Sequence, residues 1–189
     1  MEVMEAIRGR RSIRKFKADP VGGELVEKVL EAGRWAPSWA NTQCWRFIAV
    51  RHPEVRAHLA QTLPPGNRAR PSVEAAPVVI AVCAELGKSG WHHGGLATDK
   101  GDWFMFDTGL ACQNLMLAAH SLGLGTVAIG LLDAPKAAEV LEVPGNMEVV
   151  LLLPLGWPDE RPPAPPRKSF EELCFAERYG QPLRRASVE

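Results

Sequence analysis

Residues 10–16 read Arg10-Arg11-Ser12-Ile13-Arg14-Lys15-Phe16, four cations and one hydroxyl within six residues with apolar side chains between them. A guanidinium fork matches phosphate oxygens two at a time. A cation beside a planar, electron-accepting ring stabilises the negative charge that builds up on reduction. The plainer alternative is the basic last turn of an N-terminal helix, which the helix dipole favours. A solvated charge run, however, has no use for Ile13 and Phe16 at those positions.

Residues 36–47 form a second constellation, Ala-Pro-Ser-Trp-Ala-Asn-Thr-Gln-Cys-Trp-Arg-Phe. Ser38, Asn41 and Gln43 are neutral donors and acceptors set among aromatics. They suit the polar edge of a flavin or its ribityl chain. The alternative is a capped turn at the edge of a core.

The remaining candidates for chemistry are weak. No GxGxxG follows the first predicted strand, Gly123-Leu124-Gly125-Thr126 is too short for a P-loop, and no serine sits in GxSxG. His92 and His93 are adjacent, and neighbours point apart on a helix or strand, so one metal ion should not hold both. Glu171-Glu172 reads as a solvated helix face. A chain without its own catalytic groups leaves the chemistry to a cofactor.

Several elements must position these residues. Val3, Ala6 and Ile7 predict a helix over 2–9. Leu25, Val26, Val29, Leu30 and Gly33 predict a second one, ended by Pro37. Strands are expected over 45–51, 77–84, 124–131 and 147–155. The 77–84 run has no polar break, as a strand buried on both faces requires. Helices are expected over 54–63, from about 102 to 122, and over 134–142, the last capped by Asp133 with Pro135 in its first turn. The Gly-rich, polar stretch 86–101 reads as a mobile loop, and Phe106 as core packing. Residues 158–166 are proline-rich and should be extended. Ser169 and Glu172 make a capping box for a helix to about Tyr179. Residues 1–157 are therefore taken as the core. Residues 158–189 are taken as an arm of the same domain that wraps a partner subunit, the alternative being a loose terminus.

Composition bounds the function. A chain of 189 residues suffices for one domain with a sizeable core. A formal net charge of zero argues against nucleic acid as the main partner. Cys44, Cys83, Cys112 and Cys174 are far apart with no CxxC, which leaves no zinc or thioredoxin-type motif. No apolar run reaches the ~18 residues that crossing a bilayer takes, and no secretory leader precedes the first predicted helix. No membrane partner is expected, and the cytoplasm is the expected compartment.

The blocks at 10–16 and 36–47, the long helix from Asp102, Gly123-Leu124-Gly125-Thr126, the stretch Leu153–Pro158 and Arg167-Lys168 occur in one order along nearly the whole chain. Together they resemble the FMN-dependent nitroreductase superfamily, with Cys44 standing where that family usually has proline. The resemblance implies an α+β fold, a central mostly antiparallel sheet flanked by helices, and an intertwined homodimer with an FMN site at each interface. It maps phosphate contacts onto Arg10, Arg11, Arg167 and Lys168. It brings Ser12 and Arg14 to the ribityl chain and ring edge. Pro37, Ser38, Asn41 and Gln43 come from the partner subunit. Gly125, Thr126 and Val127, with Ala128 to Gly130, approach the ring through backbone groups.

The implied activity is NAD(P)H-dependent reduction of nitroaromatics, quinones or similar flat acceptors by ping-pong hydride transfer. Trp39, Trp91, Trp103 and Phe104 are the candidate pocket walls, and no catalytic side chain or metal is expected. Reductive dehalogenation, flavin destruction and FMN binding without turnover are the alternatives.

Overall fold

The computed structural model describes residues 1–183. In chain order it contains helix α1 (Val3–Gly9), helix α2 (Gly23–Arg34), a 3-10 turn (Trp39–Asn41), strand β1 (Trp45–Val50), and helices α3 (Pro53–Gln61) and α4 (Arg70–Ala75). Strand β2 (Val78–Glu85), the short strands β3 (Trp91–His92) and β4 (Gly95–Leu96), helix α5 (Phe104–Ser121) and strand β5 (Gly125–Thr126) follow. Helix α6 (Ala134–Val140), strand β6 (Met147–Gly156) and helix α7 (Phe170–Leu173) complete the chain. The main sheet is antiparallel throughout, in the order β1-β2-β6-β5.

β2 lies inside the sheet and is covered on both faces, which is why it carries no polar residue before Glu85. Val79, Ala81 and Cys83 face Leu59, Leu63, Val73 and Ala137 from α3, α4, α6 and their flanks. Val78, Ile80 and Val82 face Val26 and Val29 of α2 and Cys112, Leu115 and Ala119 of α5. Strand alternation thus builds two apolar layers around one sheet. Asp133 caps α6 as expected, its carboxylate accepting the Lys136 N–H at 3.2 Å.

Several expectations are corrected. The strand expected over 124–131 ends at Thr126, and beyond it only an isolated bridge pairs Ile129 with Leu152. The terminal helix stops at Leu173 instead of Tyr179, because Cys174 turns extended. Within the stretch 86–101, expected as a mobile loop, Trp91–His92 and Gly95–Leu96 pair as the β3–β4 hairpin. Phe106 is 57% exposed in this chain, outside the core. The short helix α4 carries no strong signal in the sequence. The tail over 160–169 has no helix or strand, in keeping with its prolines. The last residues of the expected arm, 184–189, lie outside the described residues. No helix among the described residues is long and apolar enough to cross a membrane.

Candidate functional site

Backbone pairing fixes the 10–17 segment. Ile13 N–H donates to the Thr126 carbonyl at 2.9 Å, and Lys17 N–H to the Trp157 carbonyl at 2.9 Å. Asp159 N–H returns a bond to the Lys15 carbonyl at 2.9 Å. The Glu160 carboxylate accepts the backbone N–H groups of Arg14 at 2.5 Å and Lys15 at 3.2 Å. Ile13 and Phe16 turn inward onto Ala76. Gly125 permits this approach, since a Cβ there would lie 2.8 Å from Ile13 Cβ. With the apolar side chains inward, Arg14 is left exposed on the opposite side.

The arginines converge. Arg10, Arg11, Ser12, Arg14 and Arg167 line one cavity of about 360 Å³, together with prolines of the tail. No acidic residue lines it among the described residues. Arg11 is pre-oriented, its guanidinium donating to the Arg8 carbonyl at 2.6 Å and the Arg10 carbonyl at 2.8 Å. Arg167 is held on the Pro165 and Pro166 carbonyls at 3.2 and 3.3 Å. Lys168 follows it on the surface and does not line the cavity.

Arg14 also lines a second cavity of about 520 Å³, whose wall is Val127, Ala128, Ile129, Gly130 and Leu131. Asn67 and Arg68 close it from the loop before α4. Sequence reasoning missed both, because neither neighbours a recognisable motif. Gly125 and Thr126 are buried and instead line a third cavity with Arg10, Arg11 and His120.

Pro37, Ser38, Asn41 and Gln43 are not brought to the arginines within one chain. Gly9 packs on His120 at one end of α5, and Trp39 packs on Trp103 at the other. At 18 residues α5 separates the two constellations by roughly 25 Å. The turn itself is strained, with φ of +42° at Ala40, +57° at Asn41 and +48° at Gln43. At Ala40 and Gln43 the left-handed backbone costs about 1–2 kcal/mol each, Asn41 adopts it more readily, and such outliers gather at functional sites. Local bonds hold the turn: Gln43 N–H donates to Ser38 Oγ at 3.0 Å, and Gln43 Nε2 to Asn41 Oδ1 at 3.2 Å.

Aromatic rings surround this turn. Trp39 and Trp103 lie 5.2 Å apart, centroid to centroid, and Trp103 meets Phe106 edge-on at 5.3 Å. Trp103 Nε1 donates to Thr98 Oγ1 at 2.9 Å, and Trp91 Nε1 to Asp102 Oδ2 at 3.1 Å, so the hairpin is pinned to the start of α5. Phe104 is half-buried beside them. Asp107, which sequence reasoning also missed, is 1% exposed beneath the cluster. Its carboxylate accepts from Trp39 N–H at 3.1 Å and Ser89 Oγ at 2.6 Å, and Cys44 Sγ lies 3.8 Å away. Burial, then the charge and hydrogen bond of Asp107, push the Cys44 thiol up to about 12. His92 and His93 do not point apart: His93 has φ of +49°, and the ring centroids lie 4.0 Å apart with the planes tilted by 54°. Even so, no group of His, Cys, Asp or Glu among the described residues could hold a metal ion.

Arg14 is common to the cation-lined cavity and to the one walled by Val127–Leu131. The model of the nitroreductase family matches residues 7–157. A protein of Methanothermobacter thermautotrophicus, provisionally named NADH dehydrogenase/NAD(P)H nitroreductase, is 36% identical over 166 residues, 86% of this chain and 80% of that one. The NADPH-flavin oxidoreductase of Vibrio harveyi is 34% identical over 181 residues, 93% of this chain and 74% of that one. The solved structure of the Vibrio harveyi NADPH:FMN oxidoreductase with NAD+ superposes with a TM-score of 0.80 at 33% identity, over 96% of this chain and 79% of that one.

Proposed function

Because this chain belongs to the nitroreductase family, we propose that it is an FMN-dependent NAD(P)H oxidoreductase, working as a homodimer, that reduces flat acceptors such as nitroaromatics and quinones. The observation that carries this reading is the double role of Arg14, which lines both the cation-rich cavity and the one walled by Val127 to Leu131. Arg10, Arg11 and Arg167, with Lys168 beside them, hold the FMN phosphate. Ser12 meets the ribityl chain, and Arg14 reaches the ring edge. Val127 to Gly130 supply the ring's wall, and Asn67 and Arg68 close it.

When bound, FMN would supply the redox chemistry, the exchange of reducing equivalents between NAD(P)H and the acceptor. The chain's own residues bind, orient and exclude water. Cations without acidic neighbours in the cavity suit a phosphate dianion, and Arg14 offers charge where negative charge develops.

The distance along α5 supports the dimer. Pro37, Ser38, Asn41 and Gln43 of the partner subunit reach a flavin that the same residues of the host chain do not. The exposed apolar side chains of the arm, Leu173 at 60% and Tyr179 at 93%, favour docking on that partner. Trp39, Trp91, Trp103 and Phe104 wall the acceptor pocket, which needs flat apolar surfaces more than acids. A dehalogenase lid would need charges free to grip a zwitterion. Here Lys100 pairs with Asp99 at 2.7 Å and Lys88 with Glu85 at 3.5 Å.

The test uses the purified protein. Its released flavin should be FMN; FAD would overturn the phosphate assignment. Anaerobic NAD(P)H should bleach the bound flavin, and an added quinone should restore the colour. Binding of FMN without bleaching would make the protein a flavin carrier and not an oxidoreductase.

A further inference from the structure

Asp107 sits in the first turn of α5, outside every flavin contact proposed above, yet three separate segments converge on it. The strained turn gives Trp39 N–H at 3.1 Å, the base of the hairpin gives Ser89 O–H at 2.6 Å, and the entry to β1 gives the Cys44 thiol at 3.8 Å. The Ser89 carbonyl in turn accepts Trp103 N–H at 3.0 Å. One buried carboxylate therefore anchors the backbone of both residues of the Trp39–Trp103 pair, Trp39 directly and Trp103 through Ser89. Hydrogen bonds to an ionised acceptor in a desolvated place are about twice as strong as neutral ones. The turn it restrains carries three left-handed non-glycine residues, a conformation that needs outside support. Cys44 remains a donor because its thiol is held protonated, pushed up to about 12.

We propose that Asp107 is a positioning residue that sets the spacing of the two acceptor-facing indoles and, through Trp39, the presentation of the Ser38–Gln43 turn to the flavin of the partner subunit. The proposal rests on the functional reading above. It means that the acceptor walls and the flavin contacts of the turn are not independent: both answer to one carboxylate that touches neither substrate nor cofactor. Ser89 transmits only the hairpin half of this effect.

The test compares Asp107→Asn and Ser89→Ala with the wild type. In flavin-free protein, the near-ultraviolet circular dichroism of the Trp39–Trp103 pair should shrink in both variants. Asp107→Asn should weaken FMN binding by roughly tenfold, the scale of one hydrogen bond to a charged group, and raise the KM for a quinone. Ser89→Ala should raise the quinone KM while leaving FMN affinity near the wild-type value. A lower melting temperature with unchanged dichroism, FMN affinity and KM would reduce Asp107 to a stabilising role and overturn the proposal. If Asp107→Asn does not fold, Ser89→Ala decides: a native dichroism and an unchanged KM overturn it. If the wild type neither binds FMN nor turns over, the functional reading fails, and the dichroism of the flavin-free variants still decides whether Asp107 positions the indoles.

Discussion

Gly125→Ala probes the contact that holds the arginine segment in place. The added Cβ would lie 2.8 Å from Ile13 Cβ and Cγ1 and 2.9 Å from Cγ2. Relaxation is restricted, because Ile13 is tied to the neighbouring Thr126 carbonyl at 2.9 Å and its side chain is 7% exposed. Overpacking of this kind costs about 1–3 kcal/mol. For a chain of this length each kcal/mol lowers Tm by about 2–4 °C, so flavin-free Gly125→Ala should melt about 2–12 °C below the wild type. Movement of residues 10–14 should also weaken FMN binding, read by quenching of flavin fluorescence. Ile13→Ala removes two of the three clashing atoms, so the double variant should be less destabilised than the sum of the single ones. A Gly125→Ala protein that melts and binds like the wild type, with additive behaviour in the cycle, would refute the argument that this approach places the arginines.

Other expectations follow from the same geometry. Arg10→Ala and Arg167→Ala should each weaken FMN retention by about 1.5–3 kcal/mol, and full flavin content in both after dialysis would remove them from the phosphate site. Arg14→Ala should lower the midpoint potential of the bound flavin and slow reduction by NAD(P)H; an unchanged potential in spectroelectrochemistry moves the role to another cation. Truncation after Arg161 should give a monomer without FMN, because Phe170, Leu173 and Phe175 each contribute about 1.5–3 kcal/mol when fully buried against a partner; a truncated chain that light scattering shows to be dimeric, and that stays yellow, would refute this. Burial, then the charges of Arg10 and Arg11, hold His120 below its ordinary value of 6.5. The unfolded chain therefore takes up this proton first, so stability is full above about pH 6.5 and declines as pH falls below it. His120→Gln should flatten the melting temperature between about pH 8 and pH 5, and an unchanged slope would exclude His120 as the source.

Much of the scaffold was legible because burial leaves a mark on residue type. β2 and β6 read as strands since both faces are apolar. Ile13 and Phe16 distinguished the basic segment from a solvated run, and both are buried. What stayed hidden depends on tertiary proximity. Nothing near Asn67 or Arg68 announces that the loop before α4 meets Arg14. The strained turn was hidden because its left-handed residues are Ala40, Asn41 and Gln43 and not glycines. The run 124–131 is as apolar as a strand, yet after Thr126 it meets the sheet again only at the Ile129–Leu152 bridge and forms the wall beside Arg14. Asp107 did leave a signal: it falls at four-residue spacing with Ala111 and Leu115, on the buried line of α5. An acid on such a line must find donors, and that requirement could have been read from the spacing alone.

The clamp between Glu160 and the backbone of Arg14 joins positions 146 residues apart in the chain. During synthesis the arginines are therefore made long before the carboxylate that seats them. At about 5–20 residues per second the ribosome needs roughly 7–30 s to cover that interval. For most of that time α1 has no α5 to pack on and the basic segment has no Thr126 to pair with, and the Glu160 clamp comes last of all. Assembly of the arginine-lined surface is in this sense a closing event, delayed until nearly the whole core has been made.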